Sequence, residues 1–144
     1  MKIFFDTSFF IALFVNKEKY HQRVKDKYNY YKNQRAVFFT SDYILDELFT
    51  RIGYDFGARI LDKIIKILQK GIKEEELRVL RIDERTFQKA TAVMLKFSDQ
   101  KISFTDATTY VLSRDFALDE IATLDADFIK MRLQSSFWKI LYCL

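Results

Sequence analysis

The chain of 144 residues has one cysteine, one histidine, three glycines and no proline. A single cysteine excludes an internal disulfide and a cysteine zinc cluster, and we expect Cys143 to be a small buried apolar residue. With only His21, a metal-free ribonuclease that uses two histidines as acid and base cannot be built within one chain. We expect His21 to lie on the surface of a helix. The sequence has no glycine-rich phosphate-binding loop, which argues against a nucleotide-driven enzyme.

Long apolar runs are also missing. No run approaches the roughly 20 residues that span a bilayer, and Asp6 interrupts the first apolar stretch, unlike a signal peptide. We therefore expect a soluble, cytoplasmic protein without a membrane partner. The composition, 49% hydrophobic and 31% charged, is typical of one globular domain, which we predict to span residues 1–144. An aromatic fraction of 17% predicts an aromatic-rich core.

Apolar runs typical of strands alternate with helical patterns along the chain. Strands are predicted at residues 2–5, 36–40, 77–82, 121–123 and 137–142. Helices are predicted at 7–15, 17–32, 42–52, 58–69, 83–98 and 106–114, with Ser41 and Asp83 as N-caps and Gly71 as a C-cap. This alternation predicts a parallel sheet covered by helices on both faces.

Three aspartates stand at strand-to-helix junctions: Asp6, Asp106 and Asp125. Each could simply cap a helix or turn, and Ser103-x-x-Asp106 fits a capping box. Acids at such junctions can also converge, because ligands of open α/β sheets bind outside the carboxyl ends of the strands. Converging carboxylates repel each other unless a cation lies between them. The set therefore predicts a divalent-metal site.

A fourth acid is less well defined by the sequence. Asp46 and Glu47 flank the apolar stripe of the helix after the second strand on opposite sides, so periodicity does not choose between them. The same ambiguity holds for Asp125 and Asp127. A solvated helix face is the alternative explanation for each of these acids.

The segment 17–35 carries seven basic and two acidic residues, a local charge of +5 in a chain whose net charge is +4. Four tyrosines are interleaved with these charges. One interpretation is a weakly predicted RNA-contacting surface with stacking rings, formed by Lys17, Lys19, Arg23, Lys25 and Lys27. The other is a solvated helix face with tyrosines along its edge.

Four pieces of the sequence, in this order and approximate spacing, resemble the PIN domain and most of all the VapC-like toxins of toxin–antitoxin pairs. They are Phe5-Asp6-Thr7-Ser8, Ser41-x5-Glu47, Ser103-Phe104-Thr105-Asp106-Ala107 and Thr123-x-Asp125-x-x-Phe128. The stretch from Asp99 to Phe128 is the specific part of this resemblance. Asp99 itself is interpreted as a residue at a helix end.

The resemblance implies a three-layer α/β/α sandwich with a mainly parallel sheet and a metal-dependent endoribonuclease that uses Mg²⁺ or Mn²⁺. The implied catalytic acids are Asp6, Glu47, Asp106 and Asp125, with Asp6, Asp106 and Asp125 as metal ligands and Asp127 as an alternate acid. Polar neighbours would hold the carboxylates or an activated water: Thr7, Ser8, Thr105 and Thr123. The expected RNA products carry 5′-phosphate and 3′-hydroxyl ends.

For a toxin of this kind we further expect a small antitoxin partner, an RNA substrate and a homodimer. The alternative is a PIN-like domain that binds RNA or protein with an idle metal site. A phosphorylated receiver domain would need an acidic pair after the first strand, and a haloacid-dehalogenase-like phosphatase would need Asp where Ser8 stands. The sequence fits neither of these two classes.

Overall fold

The computed structural model describes residues 1–132 and 139–142. Five strands form one sheet: β1 (Lys2–Phe5), β2 (Val37–Ser41), β3 (Leu77–Leu80), β4 (Glu120–Thr123) and β5 (Lys139–Tyr142). Their order across the sheet is β3-β2-β1-β4-β5, and every pairing between these strands is parallel. The predicted parallel sheet is therefore confirmed.

In the described part of the chain, seven helices connect the strands: α1 (Thr7–Phe14), α2 (His21–Asn33), α3 (Asp42–Phe56), α4 (Ala58–Lys73), α5 (Glu84–Lys96), α6 (Phe104–Asp115) and α7 (Asp127–Arg132). A 3₁₀ turn, Ser98–Gln100, separates α5 from α6. Helix α1 packs against α2 and α3, α3 packs against α4, and α5 packs against α6. Because parallel crossovers are right-handed, the strand order places α1–α4 on one face of the sheet and α5–α7 on the other. The three-layer α/β/α architecture is confirmed.

The sheet has its topological switch point between β1 and β4. From β1 the chain winds towards β2 and β3, and it then crosses back to β4 on the other side of β1. Asp6 directly follows β1, and Thr123 is the last residue of the neighbouring strand β4. A crevice for a ligand opens at the carboxyl ends of the strands at such a point.

Aromatic rings fill much of the core, as the composition predicts. The Phe5 ring stacks on Phe9 at a centroid distance of 4.7 Å and lies 4.8 Å from Phe38. Several other large side chains in the core are fully buried, among them Phe4, Phe10, Phe97 and Phe128. This apolar packing fixes β1, and with it the position of the acid that follows the strand.

Two predicted helix caps are confirmed and one is wrong. Ser41 Oγ accepts the Ile44 N–H at 3.2 Å, and Asp83 Oδ1 accepts the Thr86 N–H at 2.8 Å. Gly71, however, lies inside α4, which continues to Lys73. The left-handed residue after the helix is Glu75, with φ 58°, and the Glu76 N–H donates to the Gly71 carbonyl at 2.9 Å. Gly71 thus contributes an acceptor to the helix end rather than the turn itself.

Some element boundaries differ from the predictions. Helix α2 begins at His21, so Lys17 and Lys19 lie in the turns that precede it. Helix α6 begins two residues early because Ser103 caps it, and α3 extends one turn beyond its predicted end. Cys143 and residues 137–138 of the predicted last strand lie outside the described residues. Within the described part, no helix has both the length and the apolar character needed to cross a bilayer.

Candidate active site

A cleft of about 280 Å³ opens at the carboxyl ends of the strands, where the switch point lies. Five acids from both sides of the sheet line it: Asp6, Glu47, Asp106, Asp125 and Asp127. All four predicted catalytic acids and the alternate acid therefore face one space. The packing of the α/β fold brings together residues that are up to 121 positions apart in the sequence.

Asp6 is buried at the end of β1 and is held by two hydroxyl groups. Thr123 Oγ1 donates to Asp6 Oδ2 at 2.7 Å, and Ser8 Oγ donates to the same oxygen at 2.9 Å. Burial raises the pKa of Asp6 above its ordinary value, and these hydrogen bonds oppose the rise. Asp6 occupies the N-cap position of α1, but its side chain makes no capping hydrogen bond. Its carboxylate is thus directed by the hydroxyl groups and not by the helix.

The same hydroxyl groups fix the loop between β4 and α7. The Leu124 N–H donates to Ser8 Oγ at 2.9 Å, and the Asp125 N–H donates to Thr123 Oγ1 at 2.9 Å. Two of the predicted supporting residues therefore connect Asp6 to the backbone of the loop that carries Asp125. This network couples the positions of the two carboxylates.

Asp106 serves as a helix cap and also lines the cleft. Its Oδ2 accepts the Ser103 N–H at 3.0 Å, while its own N–H donates to Ser103 Oγ at 3.0 Å, which completes the capping box. The side chain is only 7% exposed. Burial, supported by the negative charges of Asp6 and Asp125, raises the pKa of Asp106 to about 7, although the Ser103 hydrogen bonds oppose this.

Three carboxylates come close enough to share a cation. One oxygen each from Asp106, Asp125 and Asp127 lie within 4.8 Å of one another. The Asp127 N–H also donates to Asp125 Oδ1 at 2.8 Å, which holds the two acids in one compact turn. This trio shares Asp106 and Asp125 with the predicted metal ligands but contains Asp127 in place of Asp6.

The fold places the neighbouring acids Glu47 and Asp46 in different environments. Glu47 is half-buried in the cleft, whereas Asp46 is exposed to solvent. Burial raises the pKa of Glu47, the negative charge of Asp6 adds to that rise, and Arg51 opposes it. Thr7 lies beside these acids, and its buried hydroxyl makes no hydrogen bond of standard geometry among the described residues. Its interaction with Glu47 lowers the pKa of that acid.

Other predicted residues lie elsewhere. Thr105 is on the first turn of α6 but not among the residues that line the cleft, and its carbonyl oxygen accepts the Thr108 hydroxyl at 2.7 Å. Asp99 is exposed in the 3₁₀ turn after α5, in agreement with its interpretation as a helix-end residue.

The basic segment is separate from the acidic cleft. Lys25 lines a second, mainly apolar groove of about 420 Å³, together with side chains of α1, α2 and α4. Tyr31 is fully buried and donates its hydroxyl to Glu120 at 3.0 Å, so this ring is not available to stack on a base. His21 is half-buried, with Nδ1 2.8 Å from the Ala12 carbonyl oxygen, rather than on an open surface. The predicted RNA contacts of Lys17, Lys19, Arg23, Lys25 and Lys27 stay a prediction.

Two cations of the cleft, Arg51 and Lys101, were not predicted from the sequence. Arg51 follows Glu47 by four residues on α3, a spacing that places both side chains on one face of the helix. This signal could have been found once Glu47 was chosen. Lys101 lies in an irregular turn with φ 55°, where no periodic pattern applies.

The lining residues fit a hard divalent cation. All acidic ligand atoms are carboxylate oxygens, which Mg²⁺ and Mn²⁺ prefer. Three of them converge within 4.8 Å, and the buried Thr7 hydroxyl lacks a regular partner beside them. The convergent oxygens belong to Asp106, Asp125 and Asp127, and Asp6 lines the same cleft. Burial is the main cause of the raised pKa values of Asp6 and Asp106, and the negative charge of Asp125 adds to the rise in both.

Comparisons with known proteins place this geometry in a family. The sequence model of the PIN domain matches residues 3–133, whereas no curated protein sequence matches the chain. The fold is similar to Mycobacterium tuberculosis VapC20, a toxin that cleaves the sarcin–ricin loop, with a TM-score of 0.76 at 23% identity over 90% of this chain and 94% of that chain.

Two further solved structures are also similar in fold. DNA-bound VapBC from Salmonella typhimurium gives a TM-score of 0.69 at 14% identity and covers 100% of this chain and 99% of its counterpart. FitAcB from Neisseria gonorrhoeae gives 0.68 at 15% identity, with 98% and 97% covered. At these identities the similarity to solved structures shows the fold alone. The match to the sequence model of the PIN domain, over residues 3–133, shows the family. The chain therefore belongs to the PIN domain family.

Proposed function

We propose that this PIN domain is a Mg²⁺- or Mn²⁺-dependent endoribonuclease that hydrolyses RNA in the carboxylate cleft, and that it is the toxin of a toxin–antitoxin pair. The observation that carries the proposal is the convergence of Asp106, Asp125 and Asp127 within 4.8 Å, beside Asp6 and Glu47, at the switch point of the sheet. An RNA-cleaving VapC toxin among the proteins of the same fold supports the choice of substrate.

Each residue has a defined part in this proposal. Asp106 and Asp125 would hold the cation, with Asp127 or Asp6 as the third ligand. When bound, a divalent cation lowers the pKa of water and offsets charge on phosphate oxygens. Ser8 and Thr123 keep the Asp6 carboxylate oriented towards the cleft. Glu47, with its raised pKa, is suited to accept a proton from the attacking water.

The direct test is the cleavage of total cellular RNA by the purified protein in Mn²⁺, in Mg²⁺ and in EDTA. We expect cleavage in either metal, none in EDTA, and none by an Asp6→Asn/Asp106→Asn double variant. Equal cleavage by both proteins would identify a contaminating nuclease. If neither protein cleaves RNA although the wild type binds Mn²⁺, the chain is a PIN-like binding domain.

We expect the antitoxin to occupy the apolar groove between α1, α2 and α4. Solved complexes of the same fold pair such a domain with an antitoxin. The groove opens apolar side chains to solvent, including Phe14 and Ile67, the latter 46% exposed. Burial of exposed apolar side chains is favourable, and a short apolar segment of a small partner protein would cover those of this groove.

The groove proposal is tested by co-expression with the small antitoxin that we expect to be encoded beside this chain. Ile67→Glu adds a charge at the rim of the groove and should abolish co-purification of that protein. Ile60→Glu is the matched control, because Ile60 is exposed on the same helix but does not line the groove. Equal co-purification with both variants would refute this docking site.

The homodimer and the cytoplasmic location stay predictions. The segment 54–69 is one choice for a dimer surface, and core packing is the equal alternative explanation of its apolar pattern; Tyr54 in this segment is 86% exposed. Light scattering on the purified protein measures the oligomeric state directly.

A further inference from the structure

Arg51 borders the carboxylate cleft with a guanidinium group that is only loosely paired. Its partner among the described residues is Glu47, at an N–O distance of 4.0 Å, and the two side chains are 49% and 41% exposed. Ion pairs this long and this exposed contribute little. The planar N–H groups of Arg51 therefore remain available for a ligand in the cleft, and their geometry matches two phosphate oxygens.

Lys101 borders the same cleft from the turn that precedes α6. Its backbone is left-handed, with φ 55°, where the 3₁₀ turn ends and the chain bends towards Ser103. Although five carboxylates line this cleft, Lys101 forms no ion pair within 4.0 Å with any acid of residues 1–132 and 139–142. Its ammonium group is not neutralised by those acids and is likewise free to meet an anion.

The charge of the cleft shows why such cations matter. Among the described residues that line the cleft, five carboxylates against two cations give a formal charge of −3, which a single divalent cation reduces only to −1. An RNA phosphate also carries a negative charge, so the cleft as a whole still repels it. Direct contacts from Arg51 and Lys101 are the source of attraction that the described lining residues offer to a phosphate.

We propose that Arg51 and Lys101 are substrate-binding residues that hold the scissile phosphate of RNA or its immediate neighbours against the carboxylates. This inference rests on the proposed ribonuclease function. It adds two residues to that site, and the role that it gives them is attraction of the RNA backbone, not recognition of bases.

The test measures binding separately from cleavage. Asp106→Asn serves as a non-cleaving background, and the probe is a short, fluorescein-labelled single-stranded RNA of random sequence, followed by anisotropy at increasing salt in Mn²⁺. Arg51→Gln and Lys101→Gln should each weaken binding by about tenfold, as expected for a lost hydrogen bond to a charged group. Each should also lower the slope of log affinity against log salt by about 0.7.

Matched variants separate a lost charge from a disturbed fold. Lys63→Gln removes an exposed lysine of α4 that does not line the cleft, and it should leave both affinity and salt slope unchanged. Arg51→Lys and Lys101→Arg keep the charge and should restore the slope.

Each other outcome overturns the inference. If the wild type cleaves RNA but Arg51→Gln and Lys101→Gln bind the probe with the affinity and salt slope of the Asp106→Asn background, the two cations are not phosphate ligands. The same conclusion follows if the two substitutions lower the cleavage rate when they are placed in the wild type but leave probe binding unchanged in the Asp106→Asn background. If the wild type neither cleaves nor binds RNA, the proposed function fails, and this inference fails with it.

Discussion

At the scale of single residues, the two most buried acids of the cleft are held by different donors. One carboxylate oxygen of Asp6 accepts hydrogen bonds from two hydroxyl groups. One oxygen of Asp106 instead accepts a hydrogen bond from a backbone N–H of its own capping box. Each acid thus has a local structural explanation and faces the cleft as well. A capping role therefore does not argue against a catalytic one, because a carboxylate has several acceptor positions.

The raised pKa of Asp106 predicts a pH-dependent stability. The folded-state value is about 7, against an ordinary 3.8, with burial as the main cause. Between these values the native state keeps a proton that the unfolded chain has lost. That stabilisation is complete below about pH 4 and is lost as the pH rises through about 7. We expect the melting temperature of the protein in EDTA to fall between about pH 4 and about pH 7.

The Asp106→Asn variant checks the assignment of this effect. An amide oxygen can still accept the Ser103 N–H, but the side chain carries no charge at any pH. One pKa unit corresponds to about 1.4 kcal/mol, and each kcal/mol changes the melting temperature of a domain of this size by roughly 3 °C. At about pH 8 the variant should therefore melt at least about 4 °C above the wild type. Asp99→Asn, at an exposed position, is the control. An equally steep pH dependence in Asp106→Asn and the wild type would contradict the assignment.

Thr123 should matter more than its uncharged side chain indicates. Thr123→Val keeps the shape of this fully buried residue but removes the donor to Asp6 and the acceptor of the Asp125 N–H. We expect a loss of about 1–3 kcal/mol in the free energy of unfolding. Mn²⁺ affinity should fall about tenfold, because Thr123 orients a carboxylate of the site.

Urea unfolding and a Mn²⁺ titration measure these two effects of Thr123→Val. Thr91→Val removes the hydroxyl of an exposed threonine on α5 and should change stability by less than about 0.5 kcal/mol. If Thr123→Val matched Thr91→Val in both measurements, the hydroxyl network would have no part in holding the site.

At the scale of elements, apolar periodicity predicted the strands and helices α1 to α6, and local turns decided where they end, whereas the short helix α7 was not predicted. The prediction at Gly71 failed because glycine is the commonest left-handed residue after a helix, yet here Glu75 adopts that conformation. Helix α2 starts late because residues 17–20 form turns that have no distinctive sequence signal. Ser103 and Asp106 were correctly recognised as a capping box because both partners are local in sequence.

The two glycines near α4 give a test at this scale. Gly71→Ala places a methyl group 3.9 Å from Leu77 Cβ, an ordinary contact inside a helix, and should stabilise the protein by about 0.5–1 kcal/mol. Gly57→Ala should destabilise it by about 1 kcal/mol, because Gly57 has φ 82° before the same helix. Thermal unfolding compares the two. Destabilisation by Gly71→Ala would show that Gly71 needs a glycine conformation after all.

At the scale of the whole molecule, the sheet topology determines which acids meet. The rule that ligands bind at the carboxyl ends of parallel strands was enough to bring Asp6, Asp106 and Asp125 together from sequence alone. It could not choose Glu47 over Asp46, because that choice depends on which flank of α3 faces the cleft. Arg51 and Lys101 were missed for the same reason, since their role arises only when α3 and the turn before α6 close around one space.

The central claim is that carboxylates of this cleft direct hydrolysis of RNA by water with the help of a divalent cation. The most direct measurement is the chemistry of the ends that the purified protein leaves on cleaved RNA in Mn²⁺. Attack by water predicts fragments with 5′-phosphate and 3′-hydroxyl ends, and we expect none of these fragments from the Asp106→Asn variant. Fragments with 2′,3′-cyclic phosphate ends would contradict it, because they arise when the ribose hydroxyl of the RNA, and not water, attacks the phosphate.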